Sequence, residues 1–113
     1  MIALTEQKET GIEARMIGKF AGVPDGPTLV AVGSIHGNEP SGRKALERVA
    51  ERIRPLADKL QGRVYLVAGN MRAYAEDVRF LDADLNRHWT RENIRRNTRP
   101  AGSASAEDIE QYE

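Results

Sequence analysis

Thr28-Leu-Val-Ala-Val-Gly33 is the stretch that decides the fold class. It is a short apolar run without alternation, the pattern of a strand covered on both faces in a parallel sheet. From Ser41 onward the apolar positions Ala45, Leu46, Val49, Ala50, Ile53, Leu56, Ala57 and Leu60 recur at three- and four-residue spacing, with Arg, Lys and Glu between them. That period predicts an amphipathic helix. Pro55 lacks a backbone donor and its ring collides with the preceding turn, so a kink or restart is expected near Arg54, and Gly62 marks the end. Arg63-Val-Tyr-Leu-Val-Ala68 is again apolar on both faces. Strand, helix and strand in this order predict a right-handed parallel pair, hence an α/β fold with a mostly parallel sheet and a flanking helix. Upstream, Ile12 to Phe20 roughly alternate before the turn-rich Ala21-Gly-Val-Pro-Asp-Gly-Pro27 and read as an edge strand.

Composition narrows the classes further. The 113 residues contain no cysteine, 17 Lys+Arg and 17 Asp+Glu. A disulfide framework and a thiolate metal site are excluded, and a reducing, cytoplasmic interior is the expected location. No run of about 18 apolar residues is present, and Glu6, Lys8 and Glu9 stand where a signal peptide needs its apolar stretch, so neither export nor membrane insertion is expected. The charge balance argues against nucleic acid as the default partner, because phosphate binding wants a basic footprint that is not offset nearby. Arginine supplies 13 of the 17 bases. That bias suits recognition of carboxylate or phosphate by a planar fork, although a GC-rich coding sequence would produce it too.

After Gly69 the periodicity stops. Asn70 to Pro100 shows no clean helical or strand pattern, and loops of such length are usually functional or disordered. We therefore treat 70–104 as one long loop region. Ser105-Ala-Glu-Asp108 then has the form of an N-cap followed by first-turn acids, with Ile109 and Tyr112 as the start of an apolar stripe. Two or three strands and one full helix make a small core for this length, so residues 1–113 are expected to be the N-terminal part of one longer domain, truncated at the C-terminus.

Two constellations carry chemistry. Gly33-Ser-Ile-His36-Gly-Asn-Glu39-Pro-Ser-Gly42 lies where the first strand gives way to the helix, and the second strand ends at Gly69-Asn70. In open α/β sheets ligands gather outside the carboxyl ends of strands, so both segments are expected on one rim. His36 and Glu39 offer an imidazole nitrogen and a carboxylate to one zinc ion. Spacing alone leaves a second reading open, in which His36 caps the strand end and Glu39 sits favourably at the helix N-terminus. A phosphate loop is disfavoured, since no Gly-Lys-Ser/Thr ending follows. In Arg79-Phe-Leu-Asp82-Ala-Asp84-Leu-Asn86-Arg87, the donors Arg79, Asn86 and Arg87 are suited to clasp a carboxylate or an oxyanion. Asp82 and Asp84 read either as metal ligands or bases, or, in the favoured reading, as acids that hold neighbouring Arg side chains and loop amides.

Taken together, His36-Gly-Asn-Glu39-Pro-Ser-Gly, Asn70-Met-Arg-Ala and Arg79-Phe-Leu-Asp-Ala-Asp-Leu-Asn86-Arg87-His-Trp89 resemble the succinylglutamate desuccinylase/aspartoacylase family, itself similar to zinc carboxypeptidases. The resemblance spans about residues 28–90. It implies an α/β domain of carboxypeptidase type that removes an acyl group from an N-acyl amino acid, a zinc-dependent amidohydrolase. By that likeness His36 and Glu39 match two zinc ligands, Arg79 the arginine that polarises the scissile carbonyl, and Asn86 and Arg87 the pair that holds the substrate carboxylate. The family's third zinc ligand, a His, and its general-base Glu fall beyond residue 113. His88 does not match a ligand position, and Glu107, Glu110 and Glu113 match no motif. The chain alone is therefore expected to be inactive or nearly so.

The expected cofactor is Zn2+ and the expected partner a small N-acyl amino acid or similar carboxylate; neither nucleic acid nor membrane is expected, and homo-oligomerisation stays open. A zinc carboxypeptidase acting on peptides is the nearest alternative. From another class comes a non-catalytic anion- or nucleic-acid-binding module built on Arg91, Arg95, Arg96 and Arg99. Against it stand Glu92, the four acids and no base of residues 101–113, and the lack of interleaved aromatics.

Overall fold

The computed structural model describes residues 12–98 and 104–113, with side chains from Ala14. The N-terminal stretch with Glu6, Lys8 and Glu9, and Arg99 of the basic run, lie outside them. The described chain forms two compact units, one of residues up to Gly33 plus Ser41–Ala68, the other of Ser34–Pro40 plus Gly69–Glu113.

The first unit is a three-stranded sheet with a helix on it. A single helical turn, α1 (Ile12–Arg15), leads into β1 (Met16–Ala21); β2 (Val23–Gly33), α2 (Ser41–Ile53) and β3 (Gln61–Ala68) follow. The strand order is β1-β3-β2. β3 pairs with β2 in parallel, Leu29 opposite Val64 and Gly33 opposite Ala68, and with β1 antiparallel, Phe20 opposite Val64. The parallel pair is as the sequence predicts. The sheet as a whole is mixed, and the expectation of a mostly parallel sheet is not borne out, because the N-terminal strand joins the free edge of β3 in the opposite sense.

Local chemistry explains the details. Between Val23 and Thr28 the β2–β3 register shifts, where Pro24 and Pro27 offer no amide hydrogen to the ladder; regular pairing resumes at Thr28. Gly62 faces this irregularity at φ +114°, and a Cβ there would run into the backbone of Pro27 and Gly26, so glycine is required on both counts. The α-helical turns stop at Ile53 and continue as a 3-10 run over Arg54–Lys59, which is the restart that Pro55 predicts.

Burial corrects a second expectation. Leu66 and Ala68 of β3, with Ala50 of α2, are buried, and the buried Arg15 donates from Nη1 to Ala68 O at 2.9 Å. β2 is not covered on both faces: Leu29, Val30 and Val32 are each more than half exposed. Its apolar run reads like a central strand, but β3 takes the centre of the described sheet. Ile12–Phe20 is also not one strand, since its first four residues are helical.

The second unit contains the segment without periodicity. That segment is not a bare loop: it forms α3 (Met71–Ala75), a 3-10 turn at Leu85–Arg87 and α4 (Arg91–Arg96), and α5 (Ala106–Tyr112) follows. Each starts on a side-chain cap: Asn70 accepts from Ala73 N, Asp84 from Asn86 N, Thr90 from Asn93 N, and Ser105 from Asp108 N in a reciprocal capping box. The cap at Ser105 is as predicted. The apolar stripe is not, since Tyr112 is exposed and the buried residues of α5 are Glu107, Asp108 and Glu110. No helix among the described residues is long and apolar enough to cross a membrane.

Candidate metal and anion site

The turn Ser34–Pro40 is held by short-range bonds. Ser34, at φ +60°, donates from Oγ to Glu39 O at 2.8 Å, and Glu39 N donates to His36 O at 3.2 Å. Gly37 N donates to Arg79 O at 3.0 Å, and Asn70 N to Ser34 O at 3.1 Å, so two distant segments are fastened to this turn. Gly37 has no room for a side chain: a Cβ would meet the backbone of Ala73 and Val78.

This backbone presents His36 between two carboxylates. Nδ1 lies 2.7 Å from Glu39 Oε2 and Nε2 lies 2.9 Å from Asp84 Oδ1. The His36 and Asp84 side chains are largely buried, at 12% and 14% exposure, whereas Glu39 is exposed at 59%. Asp84 is the hub. Its Oδ1 also accepts from Asn86 N at 3.0 Å, while its Oδ2 lies 3.4 Å from Arg79 Nη2 and 3.9 Å from Arg87 Nε. Burial acts to raise the Asp84 carboxyl, but the hydrogen bonds from His36 and from the Asn86 amide, with the charges of His36 and Arg79, outweigh it and hold the group below the ordinary carboxylate value.

All five residues singled out by sequence, His36, Glu39, Arg79, Asn86 and Arg87, therefore stand in one unit, and four of them bond to or face a single carboxylate. Asp84 itself fulfils the favoured sequence reading by holding an arginine and a loop amide, and Asp82 accepts from Ala106 N at 2.7 Å. What sequence reasoning missed is the bond from Asp84 to His36. The signal available was the position of an aspartate two residues before Asn86, a cap that brings its carboxylate to the start of a turn.

The donor set fits a divalent cation in part. In the present contacts each ring nitrogen faces a carboxylate as an N–H donor; a cation taking the place of the Nδ1 proton would leave Nε2–H on Asp84, and a carboxylate behind a metal-binding imidazole is the usual arrangement. Two ligand atoms at ~2.1 Å from a tetrahedral ion are about 3.4 Å apart, so Glu39 must draw back by less than 1 Å from its present hydrogen bond. Its exposure allows that. Among the described residues no group of three or more His, Cys, Asp or Glu is placed to hold a metal. His88 belongs elsewhere, with Nε2 2.7 Å from Asp108 Oδ1.

A second set of acids was also missed. Glu107 Oε2 accepts from Asn70 Nδ2 and Leu81 N, and its Oε1 from Asp82 N and Ala83 N. Glu110 accepts from Met71 N and from the amide and guanidinium of Arg72. Asp108 accepts from His88, Arg96 and Asn97. The sequence signal was an acidic helix in a stretch, residues 101–113, that holds four acids and no base; such acids need donors from somewhere else.

The second unit thus gathers a histidine, a glutamate, two arginines and an asparagine around one aspartate. The family itself follows from comparison: the sequence model of the succinylglutamate desuccinylase/aspartoacylase catalytic domain matches residues 25–112, and the chain belongs to that family. Neither the curated proteins nor the solved structures searched contain a match.

Proposed function

We propose that this chain carries the zinc-ligand pair and the substrate-carboxylate clamp of a hydrolase that cleaves the amide bond of an N-acyl amino acid. The observation that carries the reading is the single group in which Asp84 is hydrogen-bonded to His36, Arg79 and the Asn86 amide and ion-paired at 3.9 Å with Arg87. The family's name, succinylglutamate desuccinylase/aspartoacylase, supports an acyl-removing reaction.

Zinc held by His36 and Glu39 would supply a Lewis acid that polarises the carbonyl and acidifies water toward pKa ~7. Asp84 fixes the imidazole direction through Nε2–H. Arg79 rests on Asp84 at 3.4 Å, a long contact that a substrate oxygen gaining charge can take over. Arg87 is 84% exposed and Asn86 exposed, so both side chains are free to receive a carboxylate from solution.

Zinc affinity and amide hydrolysis test the reading. His36→Ala is expected to remove measurable zinc binding by the chain and to abolish hydrolysis of N-acyl amino acids by the natural polypeptide carrying this sequence. Zinc binding unaffected by His36→Ala refutes the metal assignment. Hydrolysis of peptides but not of N-acyl amino acids replaces the substrate class.

A further inference from the structure

Glu107 is buried to 0% exposure, yet no cation among the described residues pairs with it: its four hydrogen-bond donors there are the Asn70 amide, at 2.8 Å, and the backbone N–H groups of Leu81, Asp82 and Ala83, at 2.9, 2.7 and 2.8 Å. Consecutive backbone amides that converge in this way form an anion-binding concavity. Here the chain fills it with its own carboxylate. The grip is reciprocal, because Asp82 Oδ2 accepts from Ala106 N at the start of α5. Burial acts to raise the Glu107 carboxyl, and the four donors outweigh it, leaving the group ionised at neutral pH.

What lies on either side of this knot gives it a role. The residue after the amide cluster is Asp84, which holds His36 Nε2. Asn70, itself buried to 0% exposure, sends its backbone N–H to Ser34 O, where the turn bearing His36 and Glu39 begins. One carboxylate thus sets both segments from which the candidate site is made.

We propose that Glu107 is a positioning residue for that site: by fixing the amides of residues 81–83 it holds Asp84 against His36 and thereby sets the direction of the imidazole nitrogen left for metal. The metal part rests on the zinc reading above; the link from Glu107 through Asp84 to His36 does not. Glu107→Gln keeps size and shape but puts an NH2 group against two donors, so the 81–83 loop must shift. Glu107→Asp keeps the charge with a shorter reach.

The first measurement is on the metal-free 113-residue chain. The His36 Nε2–H proton, hydrogen-bonded to a carboxylate, is expected as a downfield, slowly exchanging NMR signal that Glu107→Gln removes while the Trp89 fluorescence of the folded protein is kept. The second is a double-mutant cycle on zinc affinity, read by competition with a chromophoric chelator. Glu107→Gln is expected to weaken zinc binding roughly 10- to 100-fold in the wild-type background. In an Asp84→Ala background it should have almost no further effect. Retention of the Nε2–H signal in Glu107→Gln, or an equal zinc penalty in both backgrounds, overturns the proposal. If Glu107→Gln does not fold, Glu107→Asp is read by the same criteria. If the wild type takes up no zinc, the zinc reading fails and the proton signal alone decides the positioning role.

Discussion

Asp108 offers the cleanest test of whether buried acids hold the second unit together. Its Oδ1 accepts from His88 Nε2 at 2.7 Å, Arg96 Nη2 at 2.8 Å and Asn97 Nδ2 at 2.8 Å, and its Oδ2 accepts from Ser105 N at 3.0 Å. Asp108→Ala removes all four. His88 and Asn97 are buried, and a buried donor left without an acceptor costs about 1–3 kcal/mol. Asn97 keeps its bond to Gln111 Oε1, so we take the low end for it. Half of a capping box adds about 0.5–1 kcal/mol. Arg96 is 53% exposed and adds almost nothing. The expected cost is about 3–4 kcal/mol, a large share of the ~5–15 kcal/mol that holds a typical domain. Urea unfolding followed by fluorescence of Trp89, the single tryptophan, measures it. With an m-value of ~1–3 kcal/mol/M the midpoint should fall by about 1 M at the least. Asp108→Asn should lose about half as much, because its amide oxygen still accepts while its NH2 faces the Ser105 donor. If Asp108→Ala costs no more than Arg96→Ala, the cluster is surface decoration and the reasoning is wrong.

Two further outcomes follow from the same geometry. Asp84, Glu107 and Asp108 all have carboxyls held below their ordinary values, so their stabilisation is complete above the unfolded carboxylate range near pH ~4 and is lost as pH falls through the lower folded values. Trp89-detected urea midpoints should therefore drop on acidification below about pH 4, and less steeply in Asp108→Ala; a midpoint constant down to pH 3 contradicts this. Gly37→Ala forces a Cβ into the backbone of Ala73 and Val78, displaces the turn that carries His36, and should cost roughly 1–3 kcal/mol together with a loss of zinc affinity. Wild-type melting temperature and zinc affinity in that variant would show the turn to be free to move.

How far the sequence could be read depended on the range of the interaction. Pro55 and Ser105 act on backbone within a turn of themselves, so the helix restart and the start of α5 were legible, whereas Gly62, read as the end of the helix, lies inside β3 three residues past the last helical residue, Lys59. The apolar run of β2 records which residues tolerate burial, but not what lies across them. It could not show that β3 takes the centre, or that Leu29 and Val30 stay exposed. The segment after Gly69 has no period because its helices are only one or two turns long and are anchored by side chain to backbone bonds instead of an apolar stripe. His36 and Glu39 were legible as a pair three residues apart. The link of His36 to Asp84, 48 residues on, is tertiary: the sequence marks Asp84 as a cap but not which side chain it meets.

Glu107 and Glu110 were the least legible feature because their partners are largely main-chain amides, which carry no residue-type signature. The same fact constrains the fold. A buried carboxylate is tolerable only if its oxygens are fully occupied, and removing its donors would leave an uncompensated charge inside the protein. For Glu107 the donors exist only when residues 81–83 adopt the one conformation in which three successive N–H groups converge. Docking of α5 therefore requires the ordered loop: a docked Glu107 without those amides would be a buried charge with too few donors. An apolar α5 would pack against many loop conformations at similar free energy. An acidic one selects the conformation that places Asp84 beside His36, which is a reason for a site that needs angular accuracy to be built around a buried charge and not a greasy contact.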